Sequence, residues 1–338
     1  MFFRSSSCAI FIVAISVLST GCGGGSHVMP LAGGQKAPYT SAARPFTSNT
    51  WSMGAPDPLK RLGAAAAVVG TKVYVLGGMS ATGTVGKNDV YDTASNTWST
   101  GAPMPTKRTG LAAAGVNGIV YAIGGFDSTN SVTAVVEAYN PTTNKWSTKT
   151  SLPAQDYVTE ATVLNGLIYV VGGFNGGSRL AAVYVYNPSS DSWSDAPNLI
   201  VAKQSAYVGT VGSDIVAAGG YTNANKTTSD NELYKSGGTA WKARRLMPSN
   251  RYGGCAAGIG SILYAAGGAK SGVSTANAQT RLDGYDSATD TWASLAPMPV
   301  AALYTASATV NGLLYCFDGT NTNNAKRQIF NDTQIYTP

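Results

Sequence analysis

The sequence predicts an all-β protein assembled from six four-stranded units, on three observations. The six tryptophans of the 338-residue chain, Trp51, Trp98, Trp146, Trp193, Trp241 and Trp292, are spaced 47, 48, 47, 48 and 51 residues apart. A glycine pair follows each of the first five by 26 residues, at Gly77-Gly78, Gly124-Gly125, Gly172-Gly173, Gly219-Gly220 and Gly267-Gly268, and the same offset after Trp292 falls on Asp318-Gly319. A tyrosine precedes the last five tryptophans by seven residues, at Tyr91, Tyr139, Tyr186, Tyr234 and Tyr285, and an orphan Tyr336 stands near the other end. Composition agrees with short strands and tight turns. The chain has 40 Gly and is 44% hydrophobic but only 12% charged, against about 25% charged in a typical soluble domain. That excludes coiled coils, helical repeats and disordered tails.

Each unit resolves into its strands in order. Between a Trp and its glycine pair lie two β-prone runs joined by a tight turn, as in Ala64 to Val69, Gly70-Thr71, then Lys72 to Leu76. The equivalent turns are Asn117-Gly118, Asn165-Gly166, Gly212-Ser213, Gly260-Ser261 and Asn311-Gly312, mostly two-residue hairpin chemistry that needs positive φ. The Tyr and the Trp mark the third and fourth strands. A repeat of about 40 to 50 residues with four antiparallel strands is a propeller blade. The double glycine, the spaced Tyr and Trp, and stretches such as VYDTASNTW and VYVYNPSSDSW resemble the Kelch family. The resemblance covers residues 46–338 and implies a six-bladed Kelch β-propeller. The last unit stops before its Trp strand, and Thr50 to Met53 is a Trp strand with nothing before it, so the two ends are expected to complete one blade and remove the exposed edges.

The amino-terminal segment reads differently. Residues 1–21 carry one charge, Arg4, and an apolar run from Ala9 to Leu18, about half the length a bilayer span needs, which fits a signal peptide. Ser19-Thr20-Gly21-Cys22 resembles the lipobox of bacterial lipoproteins, with Ser19 where that family usually has Leu; the resemblance implies lipidation at Cys22. Ordinary signal-peptidase cleavage with a free Cys22 is the alternative. Residues 22–45, rich in Gly, Pro, Ala and Ser, read as a flexible tether that includes His27, the only histidine. These features place the protein in the bacterial cell envelope, lipid-anchored at the outer membrane or cell surface, or else secreted, touching membrane through that anchor alone. The net charge of +6 contains no basic run, so nucleic acid is not an expected partner.

Functional candidates are sought where the units differ. The start of the first strand, the residues after the glycine pair and the loop to the Tyr strand share one face, where a ligand is expected. Sixteen residues before the glycine pair stand Arg61, Arg108, Asp156, Lys203, Arg251 and Ala302. Four are basic and together would form a positive channel mouth for a carboxylate, phosphate or acidic side chain; bonding to neighbouring loop carbonyls is the alternative. Asp156 would be a counter-ion or a ligand contact. Phe126, Phe174 and Tyr221 after the glycine pairs, with Tyr157, Tyr252, Tyr207 and Tyr304 early in the first strands, offer flat faces suited to sugars or packing between blades. The longest loops, Lys270 to Arg281 and Asn321 to Asn331, are the expected variable contacts.

Enzyme signatures are sparse. Kelch propellers include galactose oxidase, whose copper site needs a histidine that this chain holds only in its tether. A second relative by architecture is a periplasmic six-bladed Kelch mutarotase acting on sialic acid, a reaction that needs an acid/base group and anion recognition. Glu160, one of three Glu, is the general acid/base candidate, with pairing to Arg108 or Lys203 as its structural alternative. No phosphate loop, metal-ligand spacing or nucleophile motif appears, so no cofactor is expected. Cys255 and Cys316 fall on neighbouring blades, where a disulfide is open but isolated buried thiols are favoured. The sequence therefore favours a binding module for a glycan, an anionic ligand or a partner protein over a sugar mutarotase or epimerase.

Overall fold

A computed structural model describes residues 48–270, 277–322 and 327–338. The expected signal peptide, Cys22, the expected tether with His27, and the middle parts of the two longest loops lie outside the described residues. The described chain holds strands and no helix, arranged as six four-stranded antiparallel sheets. From the inside outwards, blade 1 is Ala65–Val69, Lys72–Leu76, Asn88–Asp92 and Thr97–Thr100. Blade 2 is Ala112–Val116, Ile119–Ile123, Val136–Asn140 and Lys145–Lys149. Blade 3 is Glu160–Leu164, Leu167–Val171, Val183–Asn187 and Ser192–Ala196. Blade 4 is Tyr207–Val211, Asp214–Ala218, Asn231–Lys235 and Trp241–Ala243. Blade 5 is Cys255–Ile259, Ile262–Ala266, Leu282–Asp286 and Thr291–Leu295.

Blade 6 draws on both ends of the chain. Ala306–Val310, Leu313–Thr320 and Ile329–Thr337 are followed outwards by Thr50–Met53, with Trp51 opposite Tyr336 and Thr50 opposite Thr337. The ring closes as its half-units require.

Burial explains the composition of each layer. The second strands carry the long apolar side chains, such as Val73, Val75 and Leu76, which are fully buried: Leu76 meets the next blade in a core cluster with Val120, while Val73 and Val75 meet blade 6 in another with Tyr315 and Phe317. The first strands crowd round the axis and are rich in Ala, with Gly and Thr among their small residues. A methyl at Gly115 would sit 1.9 Å from the Val68 carbonyl oxygen of the neighbouring blade, and one at Gly258 would sit 1.7 Å from that of Thr210. Close packing leaves no room there for anything larger.

The three sequence markers are stitches between blades. In each glycine pair the second N–H donates to the next blade, as from Gly78 to the Arg108 carbonyl, Gly125 to Asp156 and Gly319 to Arg61. The first glycine has φ near 60° where it passes that carbonyl; a Cβ at Gly77 would lie 2.3 Å from the Arg108 oxygen. Every tryptophan indole donates backwards across one blade interface, Trp98 to the Ala55 carbonyl at 2.8 Å and Trp51 to that of Ala296 at 2.8 Å. The tyrosine hydroxyl fixes an Asn or Asp at positive φ, such as Tyr91 on Asn96, whose Oδ1 also accepts the Ala55 N–H.

One expectation is corrected. Cys255 and Cys316 are not separate thiols but a disulfide between the first strand of blade 5 and the second strand of blade 6, with the Cα atoms 5.7 Å apart. The two strands face each other across a blade interface, within the reach a disulfide requires.

Candidate functional site

The face predicted to carry the site is organised in layers. Immediately before each first strand, a residue bridges to the one after the glycine pair: Leu62 to Met79, Thr109 to Phe126, Tyr157 to Phe174, Gln204 to Tyr221, Tyr252 to Ala269 and Leu303 to Thr320. The next residues, Gly63, Gly110, Val158, Ser205, Gly253 and Tyr304, all have positive φ, from 49° to 68°. Each donates its N–H to the carbonyl of its counterpart one blade back, Gly110 to Gly63, Val158 to Gly110 and so on round to Gly63 on Tyr304, at 2.6–2.9 Å. Six backbone hydrogen bonds thus form a closed ring at the end of the axial channel. Three of its members are not glycine, and a β-branched Val158 in the left-handed region is backbone strain of the kind that gathers at functional sites.

The positive mouth is not there. Arg61, Arg108, Lys203 and Arg251 are at most 1% exposed. Each is neutralised inside its blade by the residue two before the repeat tyrosine: Arg61 meets Asp89 at 3.0 Å, Arg108 meets Glu137, Lys203 meets Glu232 and Arg251 meets Asp283, the last three at 2.7 Å. Arg61 also meets Asp57 and Asp318, the residue in place of the sixth glycine. Arg108 and Arg251 spend further donors on carbonyls, of Gly124 and Val135 and of Gly267 and Arg281. A buried cation needs such partners, so these four are tie-points of the blades.

Blade 3 breaks the pattern. At the basic position stands Asp156 and at the acidic position Tyr184. The Asp156 carboxyl is fully buried; Oδ1 accepts the Phe174 N–H at 2.8 Å, and Oδ2 has no hydrogen-bond partner among the described residues. It is neither the counter-ion of a neighbouring Arg or Lys nor open to a ligand. Burial pushes its pKa up to about 8. Such an acid is held neutral because no cation compensates its desolvation.

The aromatic candidates do gather. Phe126 tilts against Tyr157 and Tyr157 meets Phe174 in a T-shaped contact, both with centroids 5.5 Å apart, and Tyr221, Tyr252 and Tyr304 form a second arc at 5.4 and 6.0 Å. Phe126, Tyr157, Phe174 and Tyr304 are half-buried, whereas Tyr221 and Tyr252 are buried packing between blades. Tyr207 is also buried, its hydroxyl on the Gly267 carbonyl under the Arg251 guanidinium. Between the two arcs sits a residue that the repeat offsets did not single out: Arg179, its guanidinium 5.1 Å from the Phe174 ring and 4.9 Å from the Tyr221 ring.

Below the hydrogen-bonded ring, the first strands enclose a channel cavity of about 430 Å³. Glu160 supplies the one carboxyl among its lining residues. It does not pair with Arg108 or Lys203, both of which have their own acids. The carboxyl is walled by protein yet reached from the channel, and burial alone lifts its pKa to about 8.

A six-bladed propeller with one aromatic, loop-bearing channel mouth defines the class of protein. Three stretches, residues 60–105, 107–153 and 159–200, match the Kelch motif family, and the chain folds as a six-bladed propeller that carries those motifs in its first three blades. A solved structure titled "Structure of YjhT" superposes with a TM-score of 0.72 over 82% of this chain and 95% of that one, at 19% sequence identity. Its likeness is one of fold. No curated protein sequence matches the chain.

Proposed function

We propose that the protein is a binding module whose channel mouth takes a glycan. The observation that carries this reading is the arc of half-buried rings Phe126, Tyr157 and Phe174 at the mouth, continued towards Tyr304. Flat apolar faces beside polar loop groups suit the C–H faces of sugars. The loop residues beside them, Asn175, Ser178, Asn223 and Asn225, are exposed or half-exposed donors and acceptors. Screening the protein on a glycan array tests the reading. Binding that is lost on Tyr157→Ala with an unchanged melting temperature is expected, and an array with no hit overturns it.

A sugar-acting enzyme, a mutarotase or epimerase, is the second reading, favoured by one observation: Glu160 is an unpaired carboxyl in the channel wall with a pKa near 8, suited to proton transfer near neutrality. Glu160→Gln separates the two. An enzyme loses turnover and keeps its sugar, whereas a binding module keeps both affinity and inertness.

We also propose an envelope location with a lipid anchor at Cys22. The cysteine pair of the propeller, Cys255 with Cys316, supports an oxidising compartment.

A further inference from the structure

Arg179 differs from the four buried cations of the repeat in what surrounds it. Arg61, Arg108, Lys203 and Arg251 meet carboxylates, whereas Arg179 is held by neutral oxygens. Its Nε donates to Gln204 Oε1 at 3.1 Å and its Nη1 to Asn225 Oδ1 at 3.0 Å. Its own backbone is clamped by Asn223, which accepts the Arg179 N–H at 2.8 Å and donates Nδ2 to the Arg179 carbonyl at 3.1 Å. The guanidinium faces are covered by the Phe174 and Tyr221 rings from adjacent blades. The side chain is half-exposed, and its Nη2 edge has no partner among the described residues.

Those facts describe a receptor already in its bound shape. Stacking fixes the guanidinium plane, and two neutral acceptors fix its rotation. The charge remains uncompensated, and an in-plane N–H edge is left for an incoming acceptor. Guanidinium is weakly hydrated and matches planar oxyanions, so ordering it beforehand removes much of the entropic cost of binding. Tyr157 lies beside it through Phe174, close enough for its hydroxyl to feel the Arg179 charge, so a sugar ring stacked on Tyr157 brings a ring substituent within reach of Arg179.

We propose that Arg179 is an anion seat of the mouth and that the glycan it takes is an acidic sugar, with the negative group on the Nη2 edge and the sugar face on Tyr157. This inference rests on the glycan-binding reading and adds the charge of the ligand to it.

The test is titration calorimetry of the protein with trigalacturonate, its methyl ester and a sulfated galactose trimer. Trigalacturonate should bind, and the methyl ester should bind roughly ten- to a hundredfold more weakly, as loss of a charge-assisted contact requires. Arg179→Gln should weaken the acid by a similar factor and leave the ester unchanged. The ester comparison uses the unaltered protein, so it decides the matter even where the variant folds poorly. Equal binding of the sulfated trimer extends the seat to either acid; its failure confines the seat to carboxylates. Equal affinity for acid and ester overturns the anion seat while leaving glycan binding standing. An acidic glutamyl peptide that binds through Arg179 where the sugars do not overturns the ligand class, and an empty glycan array defeats the broader reading itself.

Discussion

At the scale of single residues, the first strands and their flanks hold acids that keep their protons where acids usually lose them. Asp156 and Glu160 are both lifted to about 8 by burial, from the ordinary carboxylate values of 3.8 and 4.5. Burial also raises Asp57 and Asp318, whose carboxylates share Arg61. A folded chain that retains the Asp156 and Glu160 protons while the unfolded chain releases them near pH 4 binds more protons across that interval, so stability falls as pH rises from about 4 to about 8. Asp92, Asp127 and Asp191 are shifted the opposite way by hydrogen bonds, but they act below pH 4. The melting temperature should therefore be higher at pH 5 than at pH 8.5. Asp156→Asn, which removes the titrating group and keeps the shape, should flatten that slope; an unaltered slope shows that the protons are held elsewhere.

At the scale of elements, the repeat was legible wherever one side chain recurs at one offset. Trp, Tyr and the glycine pair declared the blades, because each performs the same stitch six times or nearly so. The basic series Arg61, Arg108, Lys203 and Arg251 was equally legible as a series, yet its meaning was not. A charge read alone looks like a site; only the acids two places before each repeat tyrosine, Asp89, Glu137, Glu232 and Asp283, reveal the ion pairs, and that correspondence was present in the sequence. Arg179 belongs to no series and lies in a loop, so no offset could point to it. The ring residues Gly63, Gly110 and Gly253 repeat at the common spacing, but Val158, Ser205 and Tyr304 hide it by adopting a glycine's conformation. Isolated thiols are the reading the sequence favours for Cys255 and Cys316, because spacing in sequence does not give the facing of two strands, and the disulfide corrects it. It closes a span of 61 residues, for which chain entropy suggests roughly 4 kcal/mol of stabilisation. Reduction, or Cys316→Ser, should lower the melting temperature by several degrees, and no change on reduction means that the pair adds nothing to the ring.

For the whole molecule, closure depends on one short outer strand. Thr50–Met53 pairs with the nine-residue strand Ile329–Thr337, Trp51 packs on Tyr336 with centroids 5.2 Å apart, and Asn49 accepts both the Tyr336 hydroxyl and the Ala296 N–H. Those contacts join blade 6 to blade 5 through the amino-terminal segment. Deleting residues 46–56 strips this strand and the Trp51 indole stitch, and leaves an unpaired edge. Loss of a large aromatic alone typically costs about 3–5 kcal/mol. The deleted protein should melt well below the full chain and aggregate at its exposed edge. Melting at the original temperature would mean that the first three strands of blade 6 close the ring unaided.

The circle of backbone hydrogen bonds at the channel mouth has an electrostatic consequence. Its six N–H···O=C dipoles point head to tail in one rotational sense, from each blade to the one before. Dipoles arranged as a closed loop cancel as vectors, unlike those of a helix, which add along its axis. The frame of the mouth is thus polar in substance but nearly blind to the sign of an arriving charge. Discrimination falls to the few side chains that break the sixfold pattern, Arg179 above the loop and Glu160 below it. A propeller of this kind can acquire a new ligand by exchanging one or two such residues while the circle that holds its blades stays untouched.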